Sequence, residues 1–177
     1  LSMPGGYKNG TDGSLQVAVD AMLAARGAHS FVGIDGDGKT SVIHTVGNPW
    51  GFLILRGGRS GPNYLSETIT AASEQLIASG LSPRLLVDCS HANSDKDYRK
   101  QAGVWQNVIE QRIAGNDGIV GLMLESNLNP GKQPLTTPAE LKYGVSITDG
   151  CIGWDETEAL VLDAHKRLAQ AGVTAAI

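Results

Sequence analysis

Four mostly apolar runs of the chain each hand over to an ionisable side chain. MPGGYK ends on Lys8, GFLILR on Arg56 and GIVGLMLE on Glu125, while RLLVDCS runs into His91. A fifth candidate, Asp149, lies in SITDGCIGW. One imidazole and two carboxylates, from His91, Glu125 and Asp149, form a donor set suited to a divalent ion such as Mn²⁺, Fe²⁺, Co²⁺ or Zn²⁺. Lys8 and Arg56 add an ammonium and a guanidinium, and Gly57 and Gly58 leave the backbone beside Arg56 open to an anion. The set describes a pocket for a small, strongly anionic substrate, best a phosphorylated compound with a carboxylate or a carbonyl. Each residue also has a plainer reading. Lys8 could snorkel at a strand end, Arg56 could be a surface arginine, His91 a hydrogen-bonded turn residue and Asp149 an Asx-turn residue. Glu125 is hardest to dismiss, because an unpaired carboxylate costs several kcal/mol to bury. The three ligand candidates stand 34 and 24 residues apart. That matches no local metal motif, so only the fold can bring them together.

The positioning elements read as repeated βα units. Runs 51–56, 84–90 and 118–125 are nearly continuous in apolar residues, the pattern of strands covered on both faces; run 3–8 is a glycine-rich, weaker strand. Helical runs follow at 14–26, 64–79, 95–113 and 155–171. Gly27, Gly80 and Gly172 close three of them and suit left-handed residues just past a helix end. Asp155 with Glu158 resembles a capping box. Such repeats imply an α/β fold with a parallel sheet, whose strand carboxyl ends share one face. Four units of a (β/α)₈ TIM barrel and a small doubly wound sheet both fit; a complete barrel takes roughly 250 residues. Two segments break the rhythm. Residues 29–46 alternate around Asp-Gly-Asp-Gly and read as an inserted β-hairpin. Residues 126–150 form a long loop with three prolines, of the kind that carries function.

The 177 residues suffice for one domain. The chain carries 14 basic against 18 acidic residues, with no basic block of the sort that grips nucleic acid. No apolar run approaches the roughly 18 residues of a membrane span, and the expectation is of no charged-then-apolar leader. Cys89 and Cys151 are too far apart for a CxxC motif, which favours a reduced, cytoplasmic setting over a disulfide framework. The start, LSMPGGYKNG, lacks an initiator methionine and reads like a segment of something larger.

The segments GYKNGTDGS, ILRGG, DCSHANSDKDYRKQ, GLMLESN, KYGVSITDGCIGW and the Asn-Tyr of GPNY carry a resemblance in order over essentially the whole chain. They closely resemble the C-terminal half of class I 3-deoxy-D-arabino-heptulosonate 7-phosphate (DAHP) synthases. The resemblance implies that 1–177 is half of a (β/α)₈ barrel, strands five to eight with their helices, and that 29–46 is the family's inserted hairpin. It implies a metal-dependent, aldol-type transferase that converts phosphoenolpyruvate, erythrose 4-phosphate and water to DAHP and phosphate, the first step of the shikimate pathway to aromatic amino acids. Matched residue by residue, His91, Glu125 and Asp149 correspond to metal ligands. Lys8 and Arg56 correspond to groups holding the phosphate and carboxylate of phosphoenolpyruvate. Lys8, His91 and Asp149 then form the catalytic set, with Asp149, or a water it orients, a candidate for moving protons.

The family's fourth ligand, a cysteine near the first strand, its Lys-Pro-Arg-Thr segment and a further phosphate-binding arginine belong to the other half. Neither Cys89 nor Cys151 matches that ligand. The implied partners are therefore the N-terminal half-barrel, a second copy of the chain in a homo-oligomer, and an aromatic amino acid that acts as feedback effector at Phe31, Gly33 and Ile43. Glycine at position 33 resembles the tyrosine-sensitive members. The alternative is a catalytically incompetent half-barrel that binds phosphate or a complementary chain through exposed edge strands.

Overall fold

The computed structural model describes residues 3–173. In chain order these form β1 (Gly5–Lys8), α1 (Gln16–Arg26), β2 (His29–Ile34), β3 (Thr40–Thr45), β4 (Gly51–Leu55), α2 (Ser66–Ala78) and β5 (Leu85–Asp88). Two 3₁₀ turns, His91–Ser94 and Tyr98–Lys100, then lead into α3 (Gln101–Ile113), β6 (Ile119–Met123) and α4 (Trp154–Gln170).

The four apolar runs become one sheet in the order β1-β4-β5-β6, with every pair parallel. Its order never reverses, so the switch point that defines a doubly wound sheet is absent among the described residues. The period of two along each strand separates two faces. Leu53, Leu55, Leu85 and Val87 are fully buried against Val19, Met22, Ile69, Leu76, Val104 and Val108 of α1, α2 and α3. Each such side chain contributes about 1.5–3 kcal/mol relative to exposure. The opposite face carries Gly6, Phe52, Ile54, Leu86 and Gly121. A Cβ on Gly6 would meet Ile54 Cδ1 at 2.5 Å, so glycine there lets that face close up.

Continuous apolar strands predict cover on both sides, yet the helices of this core all lie on one. The second face is only half-covered, with Phe52, Leu86 and Met123 partly accessible. β1 and β6 each keep one edge unpaired among the described residues. Beside β6 an apolar cleft of about 490 Å³ opens between α3 and α4, lined by Ile109, Ile119, Val120, Leu122 and Leu168.

The predicted hairpin forms, β2 pairing antiparallel with β3 from His29↔Thr45 to Ile34↔Thr40. Asp35 organises its turn: its carboxylate accepts from the backbone N–H of Asp37 and Lys39 and from Ser41 Oγ. The hydroxyl and amide donors hold that carboxyl below the usual carboxylate range.

Three local expectations need correction. The third helix begins at Gln101 rather than residue 95, because Asp95 and Lys96 adopt φ of 54° and 60° and turn the chain out of any helical path. Gly27 ends α1 in an extended conformation, φ −72°, whereas Gly80 and Gly172 are left-handed as expected. No capping box forms at Asp155, because α4 starts one residue earlier from Gly153 and has no side-chain cap. Asp155 and Glu156 still lie in its first turn, where they favour the helix dipole.

Candidate metal and anion site

Parallel strands bring the predicted charges to one rim. Lys8 is the last residue of β1, Arg56 follows β4, His91 lies three residues past β5 and Glu125 two past β6. His91 itself adopts a left-handed φ of 56°, an unfavourable conformation for a side chain with a Cβ and a recurring feature of functional turns. His91, Glu125 and Asp149 each offer one ligand atom, and these atoms lie within 4.8 Å of one another. The fold thus supplies the convergence that spacing could not.

Glu125 is held at both backbone and side chain. The fully buried amide of Gln101 accepts from Glu125 N at 2.8 Å and donates to Glu125 O at 3.1 Å. Ser90 Oγ donates to Glu125 Oε2 at 2.7 Å, and Oε1 is left 3.6 Å from His91 Nε2. Asp149 arrives on the long loop, which is anything but loose. Short bridges pair Ser126 with Ile152, Gly131 with Cys151 and Lys132 with Ser146, and Ile152 N donates to Glu125 O. The loop's end is therefore tied to the β6 extension that carries the glutamate.

Asp88, which sequence reasoning passed over, is the hub. Its carboxylate is wholly buried, accepts from Lys8 Nζ at 2.7 Å and from the backbone N–H of Ser90 at 3.0 Å. His91 Nδ1 is 3.0 Å from Asp88 Oδ2 but out of line for a hydrogen bond, and is otherwise buried without a partner. The ring thus turns Nδ1 towards a carboxylate and Nε2 towards Glu125, the orientation in which an outer carboxylate fixes a ligating histidine. An imidazole nitrogen and two carboxylate oxygens with such a partner fit a borderline divalent cation.

Three carboxamides, also missed, knit the strand ends together. Asn9 Oδ1 accepts from Arg56 N at 2.8 Å and its Nδ2 donates to Gly57 O. Asn63 Oδ1 accepts from Gly57 N, and Asn93 Nδ2 donates to Leu55 O and Asp88 O. Buried polar groups persist when satisfied in this way. The Asn of GPNY was visible in sequence only as part of a motif.

The thiols stand apart. Cys89 is fully buried and burial pushes its pKa far up, with the Asp88 charge adding to the effect. Cys151 Sγ contacts Asp149 O at 3.6 Å, and burial raises it too. Protonated thiols are poor ligands. A pocket of about 160 Å³ lined by Arg56, Ser90, His91, Lys96, Glu125 and Asp149 completes the site.

On the hairpin, Phe31 faces Ile43 across the strands and Gly33 lies on the same side, opposite Ser41. A Cβ at Gly33 would meet Ile43 Cγ1 at 3.0 Å and Phe31 Cε2 at 3.3 Å. The three predicted effector residues therefore share one patch, separate from the strand-end rim.

Comparison with known proteins places this geometry. The DAHP synthetase I family model matches residues 1–162. The Tyr-sensitive phospho-2-dehydro-3-deoxyheptonate aldolase of Salmonella typhimurium is 50% identical over 170 residues, 96% of this chain and 48% of that protein. The phenylalanine-inhibited enzyme of Saccharomyces cerevisiae is 45% identical over 170 residues, 91% of this chain and 45% of its own. The solved structure of the Francisella tularensis aldolase superposes with a TM-score of 0.82 at 40% identity, covering 95% of this chain and 48% of that one. The chain spans about half the length of these relatives. With most of its residues matched by the family model, the chain belongs to the DAHP synthetase I family.

Proposed function

We propose that this chain supplies the metal-binding and part of the phosphoenolpyruvate-binding machinery of a 3-deoxy-7-phosphoheptulonate synthase. The observation that carries the reading is the gathering of His91, Glu125 and Asp149 within 4.8 Å, at the rim where Lys8 and Arg56 also end. His91, Glu125 and Asp149 would hold a divalent ion, which when bound supplies Lewis acidity to the aldehyde oxygen of erythrose 4-phosphate. Lys8 and Arg56 neutralise and orient the enol phosphate. Asp88 keeps the Lys8 ammonium in place, and Asp149 is the candidate proton carrier.

The finer architectural reading is that residues 1–177 form a single region equal to half of a (β/α)₈ barrel, with 29–46 inserted into it. Helices on one sheet face, a half-covered apolar second face and two open edges all favour that reading, because a barrel buries its inner face and has no edges. The rest of the barrel would bring the further ligand and phosphate-binding groups. The same edges favour a second reading, a half-barrel that binds a complementary chain without turnover. We also infer a cytoplasmic homo-oligomer regulated by an aromatic amino acid, with tyrosine preferred.

Phosphate release from phosphoenolpyruvate and erythrose 4-phosphate, with Mn²⁺ and the remaining half-barrel added, tests the reading. Turnover that depends on both halves is expected; none under any metal leaves the second reading standing. In the same assay Arg56→Ala is expected to raise KM for phosphoenolpyruvate about tenfold or more and leave KM for the sugar phosphate nearly unchanged, the loss of one charged hydrogen-bonding group. Equal losses would make Arg56 merely structural. Gly33→Ser adds a side chain to a patch with 3.0 Å of room and should weaken tyrosine inhibition several-fold without changing uninhibited kcat. Unaltered inhibition would remove the hairpin from the effector site.

A further inference from the structure

Next to the metal cluster lies a second, larger cleft of about 450 Å³, lined by Thr11, Arg56, Gly57, Gly58, Arg59, His91, Ala92 and Lys96. Three of these residues are cations and none is an acid. Among the described residues Arg56, Arg59 and Lys96 have no carboxylate within ion-pair distance. The contrast along one short segment is informative. Asp95 takes Lys100 at 2.6 Å and Asp97 takes Arg99 at 2.8 Å, so both acids of 95–100 are spent on the solvent side. Lys96, between them, is left to the cleft.

Its backbone is bent to get there. Lys96 has φ 60° directly after Asp95 at φ 54°, and Lys96 N donates to His91 O at 2.7 Å. A left-handed residue with a Cβ costs on the order of 1 kcal/mol, and such strain gathers at ligand clamps. On the opposite wall, Arg59 N donates to Thr11 O, which ties the Arg59 backbone to the β1 loop. Gly58 packs so tightly on Gly13 that a Cβ would lie 2.2 Å from its backbone nitrogen. Like charges brought together without counter-ions repel, and a dianion relieves that repulsion.

We propose that Arg59 and Lys96, together with Arg56, form a cradle for a phosphomonoester dianion, so that two side chains beyond Lys8 and Arg56 recognise the phosphoryl group of a substrate. The proposal rests on the synthase reading for its substrate class, but not for the anion itself. Arg59 and Lys96 are exposed, so changing them leaves the core intact.

The test uses the chain with inorganic phosphate and with methyl phosphate, titrated by calorimetry at low and physiological salt. Arg59→Gln and Lys96→Gln should each weaken binding five- to tenfold, and the double variant by more than about thirtyfold, while Mn²⁺ stoichiometry stays unchanged. Lys96→Gly removes both the cation and the backbone strain; it should bind phosphate as poorly as Lys96→Gln yet unfold no more easily. Phosphate binding by the double variant equal to that of the parent overturns the cradle. With the barrel completed, KM for the enol phosphate should rise, because the cradle shares Arg56 with that substrate; a rise for the sugar phosphate alone, or for neither, also overturns it. Anion binding without turnover would instead leave the cradle standing and defeat the synthase reading.

Discussion

Replacing Glu125 by alanine is expected to abolish stoichiometric Mn²⁺ binding in the completed barrel, with affinity falling by more than about a hundredfold. That exceeds the roughly 10- to 100-fold loss typical of outer-shell partners, because a donor atom itself is lost. His91→Ala should behave alike. The fold should survive both changes, since the Glu125 backbone is clamped by Gln101 rather than by its own carboxylate. Equilibrium dialysis followed by metal analysis reads the result. An unchanged metal-to-protein ratio for either variant takes that residue out of the site.

Asp88→Asn carries the second large effect, on stability as well as metal. The buried carboxylate faces the Lys8 ammonium at 2.7 Å, and removing one partner of a buried pair usually costs about 3–5 kcal/mol. The Lys8 side chain is 34% exposed, so water recovers part of that, and a loss of about 2–3 kcal/mol in urea unfolding is expected. The variant also takes away the charge facing His91 Nδ1, and Mn²⁺ affinity should drop about 10- to 100-fold. Adding Lys8→Met to Asp88→Asn separates the two roles. Stability should return in part once the unpaired ammonium is gone, while metal affinity stays low. Recovery of both together would mean that Asp88 acts only through Lys8.

The strands were legible because burial writes a dense signature: three apolar runs in sequence became β4, β5 and β6. The hairpin was legible from Asp-Gly-Asp-Gly, whose first aspartate does organise the turn. Asp88 was not, because an acid closing an apolar run looks like a strand end until Lys8, 80 residues away, is seen to meet it. The false start of the third helix has a similar cause. Polar residues 95–100 carry no sign that two of them sit at positive φ. Gly27 shows the reverse error, since glycine permits a left-handed residue without requiring one. The metal candidates themselves were read from residue type and strand position, but the Ser90 hydroxyl that meets the Glu125 carboxylate and the Gln101 amide that clamps the Glu125 backbone lie 35 and 24 residues away in the chain, contacts that no sequence pattern displays.

The carboxamides of Asn9, Asn63 and Asn93 have a consequence for how a cation would arrive. Because they tie β1, β4 and β5 together at the rim, the entropy of arranging that end of the sheet was lost when the chain folded, not when a guest enters. Capture should therefore resemble an ion dropping into a finished seat, with a small heat-capacity change and little slowing of amide exchange elsewhere.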